Sequence, residues 1–349
     1  MPVKPFSIFI SICLLEEYSN GHPDNDHMMK LFTGILISII AVYLLASKID
    51  ISEFSRLGTV NYFYLLPFIL LYSTSTIFYT FRWYLLLGKK ATFKDSLFSY
   101  QIGSGGNMVL PARGGDFFRI YFIKKKSSLS YPLVMSRLFI EKVIDLVFVV
   151  ILGLVAFFLL DSGADTTQTI FIFSFSIFTI TCILLVLLVV RFKTIILINF
   201  LKQIASYLKK ENEFHYKLEH HILDIAEFLS FQSFFKPFLI TITLWLFFYT
   251  GGYLCIAYLL GIEINYLQAL FLIFLGAMGV AIPSAPSGIG VFHASIVSGF
   301  VIMGKTASQG LVYATILHLS QFILLSTVSL VFYLVWVFSA KNEAIHGSN

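Results

Sequence analysis

The sequence predicts an all-α polytopic membrane protein of about six to eight transmembrane helices, with two re-entrant hairpins in an inverted repeat. Three observations predict this. The 349 residues are 58% hydrophobic and only 12% charged, against about 25% charged in a soluble domain. Apolar runs near the roughly 20 residues that cross about 30 Å of hydrocarbon recur along the chain. Two of those runs are interrupted by Pro and Gly, at "LPARGG" and at "IPSAPSGIG".

In chain order, residues 1–29 read as a poorly defined extension. The apolar run Phe6 to Leu15 is too short to span, and no small-residue cleavage site follows it. Translation from Met28 or Met29, or a short interfacial segment, would each account for it. A single membrane domain is expected over 30–338, followed by a tail at 339–349. Its uninterrupted spans are Leu31–Ser47, Tyr62–Leu87, Leu138–Leu160, Thr169–Val190 and Phe238–Leu260. Ala307–Phe338 is long enough for one tilted helix or two short ones. The interrupted runs, 93–123 and 267–303, each read as helix, Pro/Gly loop, helix.

Loop charge orients the bundle. Asp161 to Gln168 carries no Lys or Arg and belongs outside, whereas Arg191 to Lys236 carries seven and belongs in the cytoplasm. Lys89, Lys90 and Lys94 precede the first interrupted run and Lys124 to Lys126 follow it. Both its ends are therefore cytoplasmic, so it dips in and returns. The second interrupted run begins on the outer side by the same count, which brings Lys341 and the C-terminus inside. Each hairpin then lies between two spans, with opposite orientation. Paired, interrupted segments of this kind point to a transport site near the midplane, because irregular backbone at that depth must be covered by protein or line a cavity. Within the cytoplasmic segment 191–237, Leu218, Ile222, Ile225 and Leu229 share a helical face, away from Lys217, Glu219, Asp224 and Glu227. That pattern suits a helix lying on the membrane surface.

Several function classes are excluded or disfavoured. The net charge of +5 is clustered in loops and sets topology, so no nucleic-acid partner is expected. Neither a Walker-type phosphate loop nor a dinucleotide fingerprint is present. Cys13, Cys182 and Cys255 have no metal spacing. His215, His220 and His221 fit no standard site and suit a solvated helix face. No cofactor and no metal are expected.

Polar groups inside the apolar runs are the candidate site, because burying charge in a bilayer is costly. Arg113 and Arg119 can bind phosphate bidentately, beside the backbone at Gly114 and Gly115 and the start of a helix near Asp116. The alternative is that Arg113 pairs with Asp116 or Glu141 while Arg119 reaches to the headgroups. Arg137, Glu141 and Asp145 lie four residues apart and share one helix face, as substrate or proton groups or as a bracing ladder. Asn107 and Gln101 could bond within the hairpin or to substrate. Lys124 to Lys126 suit anionic cytoplasmic lipid. Pro111, Pro283, Pro286, Gly288 and Gly290 shape the two turns.

Three elements in order, "NMVLPARGGDFFR", "SRLFIEKVID" and "IPSAPSGIGVFHA", resemble the transmembrane region of lysylphosphatidylglycerol synthases, a flippase-like family. The likeness runs from about Met28 to Phe338. Asp116 stands where that family usually has Glu, Lys142 where it has Arg, Ser287 where it has Gly, and His293 where it has Glu. The resemblance implies a translocator of a lipid or lipid-linked headgroup in the cell (inner or plasma) membrane, with anionic phospholipid or a polyprenyl-phosphate-linked molecule as partner. Arg113 and Arg119 would take the phosphate on the cytoplasmic side, and Ser284, Ser287 and His293 would meet it from outside. The full-length synthases add a soluble aminoacyl-transfer domain, for which a chain ending at Asn349 leaves no room, so enzymatic activity is not expected. The alternative is an accessory membrane subunit in cell-envelope lipid or glycan assembly.

Overall fold

The structure is a computed structural model that describes residues 60–110, 113–160, 231–281 and 286–346, with isolated positions besides. The expected spans Leu31–Ser47 and Thr169–Val190, most of the cytoplasmic segment, and Pro111, Pro283 and Ser284 lie outside the described residues.

Every described element is helical. A 3-10 turn, Tyr62–Tyr64, leads into α1, Leu65–Leu86. The first interrupted run folds as α2, Phe93–Val109, and α3, Gly114–Lys126. Next comes α4, Tyr131–Leu159. The fifth expected span is α5, Phe231–Thr243, then a π turn at Leu244–Tyr249 and α6, Thr250–Leu259. The second interrupted run folds as α7, Tyr266–Ala281, and α8, Val291–Ile302. The closing run is one helix, α9, Ala307–His346. Segments Tyr62–Leu86, Tyr131–Leu159, Phe235–Leu259 and Ala307–Ser339 are long and apolar enough to cross a bilayer. The hairpin helices α7 and α8 are apolar but shorter, at 16 and 12 residues. At 1.5 Å per residue they fall short of about 30 Å.

Local chemistry explains the boundaries. Thr92 caps α2 by accepting the Asp95 N–H at 3.0 Å, and its hydroxyl donates to the Asp95 carboxylate at 2.6 Å, closing the first turn reciprocally. Ser130 caps α4 next to a proline in the first turn. Lys124, Lys125 and Lys126 occupy the last turn of α3, where the helix dipole favours cations. Pro237 removes a backbone donor within α5, and the Thr241 hydroxyl covers the Pro237 carbonyl at 3.0 Å. The π turn follows, and there Thr250 donates to the carbonyl of Trp245, five residues back, at 2.8 Å.

Packing follows a pseudo-symmetric exchange. Each hairpin's two helices pack together, α2 on α3 and α7 on α8. The first helix of each then packs on the closing helix of the other repeat, α2 on α9 and α7 on α4, while α1 meets α6 between them. Glycines permit these crossings. A Cβ at Gly115 would strike the Gly103 carbonyl, one at Gly105 would strike Ser329 of α9, and one at Gly153 of α4 would strike the Phe274 ring of α7. The apolar core spans both repeats, with Phe148, Val149 and Ala156 of α4 buried among Phe271, Phe274, Phe292 and Phe300 of the second hairpin. Large side chains such as Phe63, Phe117, Phe158, Phe247 and Phe338 stand exposed, as lipid-facing positions do.

Candidate functional site

The charged residues gather in one network where α1, the first hairpin, α4 and α5 meet. Arg82 of α1 is fully buried and grips Asp145 of α4 with both terminal nitrogens, at 2.6 and 2.8 Å. Its Nη1 also donates to Thr241 of α5 at 2.7 Å. The Trp245 indole N–H, presented by the π turn, donates to the same Asp145 oxygen at 3.0 Å. One turn along α4, Glu141 accepts both terminal nitrogens of Arg119 from α3, at 2.8 and 2.9 Å. The Arg119 guanidinium lies 4.2 Å from the centre of the Trp83 ring, a cation–π contact. Gly103 makes room for it, since a Cβ there would collide with the Arg119 chain.

This places the candidate residues of the ladder. Glu141 and Asp145 share a face of α4, yet their bidentate partners come from other helices, Arg119 and Arg82. Arg119 does not extend to the headgroups. It is buried, 2% exposed, and bound to Glu141. Arg137 is buried on the same helix.

Arg113 behaves differently. Its side chain is 55% exposed, and its Nε lies 3.3 Å from Asp116. It sits at the N-terminus of α3 in the left-handed region, at φ 57°. Lys142, one-third exposed, lies 3.4 Å from both Asp116 and Glu141. Asp116 is further held by Asn107, whose Nδ2 donates to it at 3.0 Å, while the Asp116 N–H donates back to Asn107 Oδ1 at 3.1 Å. Within this network Arg82, Arg113, Arg119 and Lys142 face Asp116, Glu141 and Asp145. Among the described residues of this network, four cations against three carboxylates leave one positive charge in excess, with Arg113 its most accessible member. Such an arrangement can receive an anion.

The second hairpin brings its tip to the first. Ser287, at φ 63°, stands between Pro286 and Gly288, and Gly288 and Gly290 also have positive φ, 71° and 89°. The Ser287 hydroxyl donates to Met108 Sδ of α2 at 3.3 Å. His318 Nε2 of α9 lies 2.8 Å from that hydroxyl and 3.0 Å from the Ser287 carbonyl. His293 of α8 packs edge-on to His318, ring centres 5.3 Å apart. Asn107 and Met108 are consecutive, so one residue holds the charge network and the next touches the opposite hairpin.

The chain matches the model for the lysylphosphatidylglycerol synthase transmembrane region over residues 31–329. It belongs to that family. It is a multi-pass membrane protein of this family, with four described helices able to span a bilayer. A curated relative, glycosyltransferase AglD of Haloferax volcanii, is 30% identical over 153 residues, covering 40% of this chain and 24% of the relative. The match thus spans about a quarter of the relative's length. No solved structure matches. Of the four departures from the family pattern, Asp116 and Lys142 meet as an ion pair at 3.4 Å, and Ser287 and His293 both border His318.

Sequence reasoning missed Arg82, Thr241, Trp245 and His318 as members of the site. Arg82 carried a usable signal, a lone cation deep within an apolar span. His318 carried a similar one in α9. Thr241 and Trp245 carried none, because only the fold brings them to Arg82 and Asp145.

Proposed function

We propose that this protein moves a phosphate-bearing amphipathic lipid, or a lipid-linked headgroup, between the leaflets of a cell membrane without transforming it chemically. The observation that carries this reading is the contact of two hairpin tips, Ser287 on Met108, beside a charge network with surplus positive charge and an accessible Arg113. A groove between hairpins can shelter a polar headgroup while the tails remain in lipid. Arg113 and Lys142 take the phosphate in this scheme. Arg82, Arg119, Glu141 and Asp145 hold the hairpin and its flanking helices at the spacing the groove needs. The C-terminus faces the cytoplasm. Family membership supports a role with lipid, and the partial match to a glycosyltransferase supports lipid-linked glycan as one form of substrate.

The test is reconstitution in liposomes containing headgroup-labelled phosphatidylglycerol or a polyprenyl-phosphate analogue, with quenching from outside. The expected result is movement of at least one lipid by the wild type, lost in Arg113→Ala. If a demonstrably folded protein moves neither lipid, the translocator reading falls and an accessory role in envelope assembly takes its place.

A further inference from the structure

The two carboxylates of α4 are poorly placed to carry a coupling proton. Both oxygens of Asp145 accept from Arg82, and both oxygens of Glu141 accept from Arg119. A proton arriving at either would have to displace a bidentate guanidinium. His293 of α8, in the second hairpin, and His318 of α9, against its tip, are in the opposite situation. The Ser287 carbonyl can only accept, so its 3.0 Å contact with His318 Nε2 puts the proton of neutral His318 on Nε2 and leaves Nδ1 with a free lone pair. Nδ1 of His293 is buried without a hydrogen-bond partner among the described residues. An unmet buried polar atom is costly and asks for a reason.

The surroundings oppose a second proton there. The rings stand 5.3 Å apart and perpendicular, so a charge on one repels a charge on the other. The Phe292 ring stacks on His318 with centres 5.1 Å apart and offers a π face to a cation. The helices packed on α8 and α9 are α7, α2 and α6, with α1 meeting α9 through Tyr72 and Gln321 and α3 meeting it through Phe118, Phe122 and Trp336. Their ionisable side chains are Tyr266 on α7, Lys94, Asp95 and Tyr100 on α2, Tyr253, Cys255 and Tyr258 on α6, Tyr72, Tyr79, Arg82 and Tyr84 on α1, and Asp116, Arg119, Tyr121 and Lys124 to Lys126 on α3. On α9 itself they are Tyr313, Tyr333, Lys341, Glu343 and His346. Lys94 and Asp95 start α2, at the far end from Met108, and Lys341 and Glu343 lie more than twenty residues beyond His318. Among the described residues none of these carboxylates pairs with an imidazole, and Asp116 is taken by Arg113, Arg119 and Lys142.

We infer that His293 and His318 form a single-proton site at the joint between the two hairpins, and that lipid movement is coupled to one proton carried there. The coupling rests on the translocator reading. The proton site itself does not. The incoming proton binds a free imidazole nitrogen, and His318 keeps its Nε2–H on Ser287. The resulting cation sits at the tip of the second hairpin, shared between α8 and α9, and the Ser287–Met108 contact links it to the first hairpin, where Asn107 holds Asp116. An anionic headgroup released from Arg113 then meets a positive charge on the opposite hairpin, and loss of the proton frees it.

Two measurements on the full chain test this. Histidine side chains, 15N-labelled, are titrated by NMR in nanodiscs, and the two rings are assigned with His293→Gln and His318→Gln. Glutamine at 318 preserves a donor to the Ser287 carbonyl. Uptake of one proton shared by the pair is expected below the ordinary imidazole range, because burial disfavours the charged ring. Two rings that stay neutral throughout, or that protonate independently, overturn the site. In liposomes with the membrane potential clamped, one coupled proton sustains up to about a tenfold leaflet asymmetry of lipid per pH unit, and two would sustain about a hundredfold. Both Gln variants are expected to lose the response of the leaflet ratio to the gradient. Wild-type movement indifferent to the gradient overturns the coupling and leaves the translocator standing. No lipid movement at all removes the translocator and the coupling together, and the titration alone then decides the proton site.

Discussion

Asn107 and Asp116 exchange two hydrogen bonds across the tip of the first hairpin, side-chain amide to carboxylate at 3.0 Å and backbone N–H to side-chain carbonyl at 3.1 Å. This pair joins the end of α2 to the start of α3. It also aims Asp116 at Arg113 and Lys142. Replacing Asn107 by Ala leaves the Asp116 N–H unpaired in a partly buried place. The expected cost is about 1–3 kcal/mol, read as a lower thermal midpoint of the detergent-solubilised protein. Stability indistinguishable from the wild type would show that water replaces the pair without loss.

The Arg82–Asp145 pair predicts a second result. Removing one member of a buried ion pair strands the other charge and costs about 3–5 kcal/mol, whereas replacing both by apolar residues is far milder. Asp145→Leu alone should therefore lower stability more than Arg82→Met combined with Asp145→Leu. Trp245 loses its partner in both variants, whereas Thr241, which accepts from Arg82, loses that donor only in the double variant. Unfolding by graded denaturing detergent compares the variants. Equal losses in the single and double variants would mean that Arg82 is not stranded without Asp145, Glu141 at 3.8 Å serving as its counter-ion.

Glycines give the third prediction. A Cβ at Gly115 meets the backbone oxygen of Gly103 and, at 2.5 Å, the backbone nitrogen of Asn107. Neither can move without opening the hairpin. A Cβ at Gly114, one residue away, meets only the Leu110 side chain, at 3.0 Å. Gly115→Ala is therefore expected to destabilise the hairpin by several kcal/mol, in the manner of overpacking, and Gly114→Ala to be close to neutral. Thermal midpoints of the two variants, measured side by side, check the contrast.

The hairpins were legible in the sequence because Pro and Gly interrupt runs whose apolar character otherwise demands helix. "LPARGG" separates α2 from α3, and the turn at Pro286, Gly288 and Gly290 precedes α8. The shared face of Glu141 and Asp145 was legible too, because helical periodicity alone fixes it. Their partners were not. Arg82 lies 63 residues from Asp145 and Trp245 lies 100 residues from it, and hydropathy says nothing about which spans touch. The choice between one helix and two over Ala307–Phe338 was equally closed to the sequence, since its one glycine, Gly310, lies in the first turn, no Pro or Gly follows to mark a break, and length alone permits both. The structure gives a single helix, Ala307–His346.

Arg113 supplies the last prediction, and it sets stability against function. The residue lies at φ 57°, ψ 40°, a conformation that costs a residue bearing a Cβ about 1–2 kcal/mol and costs glycine nothing. Its exposed ion pair with Asp116 returns at most about 1 kcal/mol. Arg113→Gly should thus leave the protein as stable as the wild type or more so, while Arg113→Ala keeps the strain and loses the pair. If Arg113 is retained to bind a phosphate, both variants lose lipid movement alike, and the Gly variant loses it despite gaining stability. Strain held at one exposed, charged position is then the structural cost of placing a guanidinium at the hairpin tip. Lipid movement by Arg113→Gly at the wild-type rate would assign the residue to the turn alone and shift phosphate recognition to Lys142. Thermal midpoints and liposome assays on the same preparations separate the two outcomes.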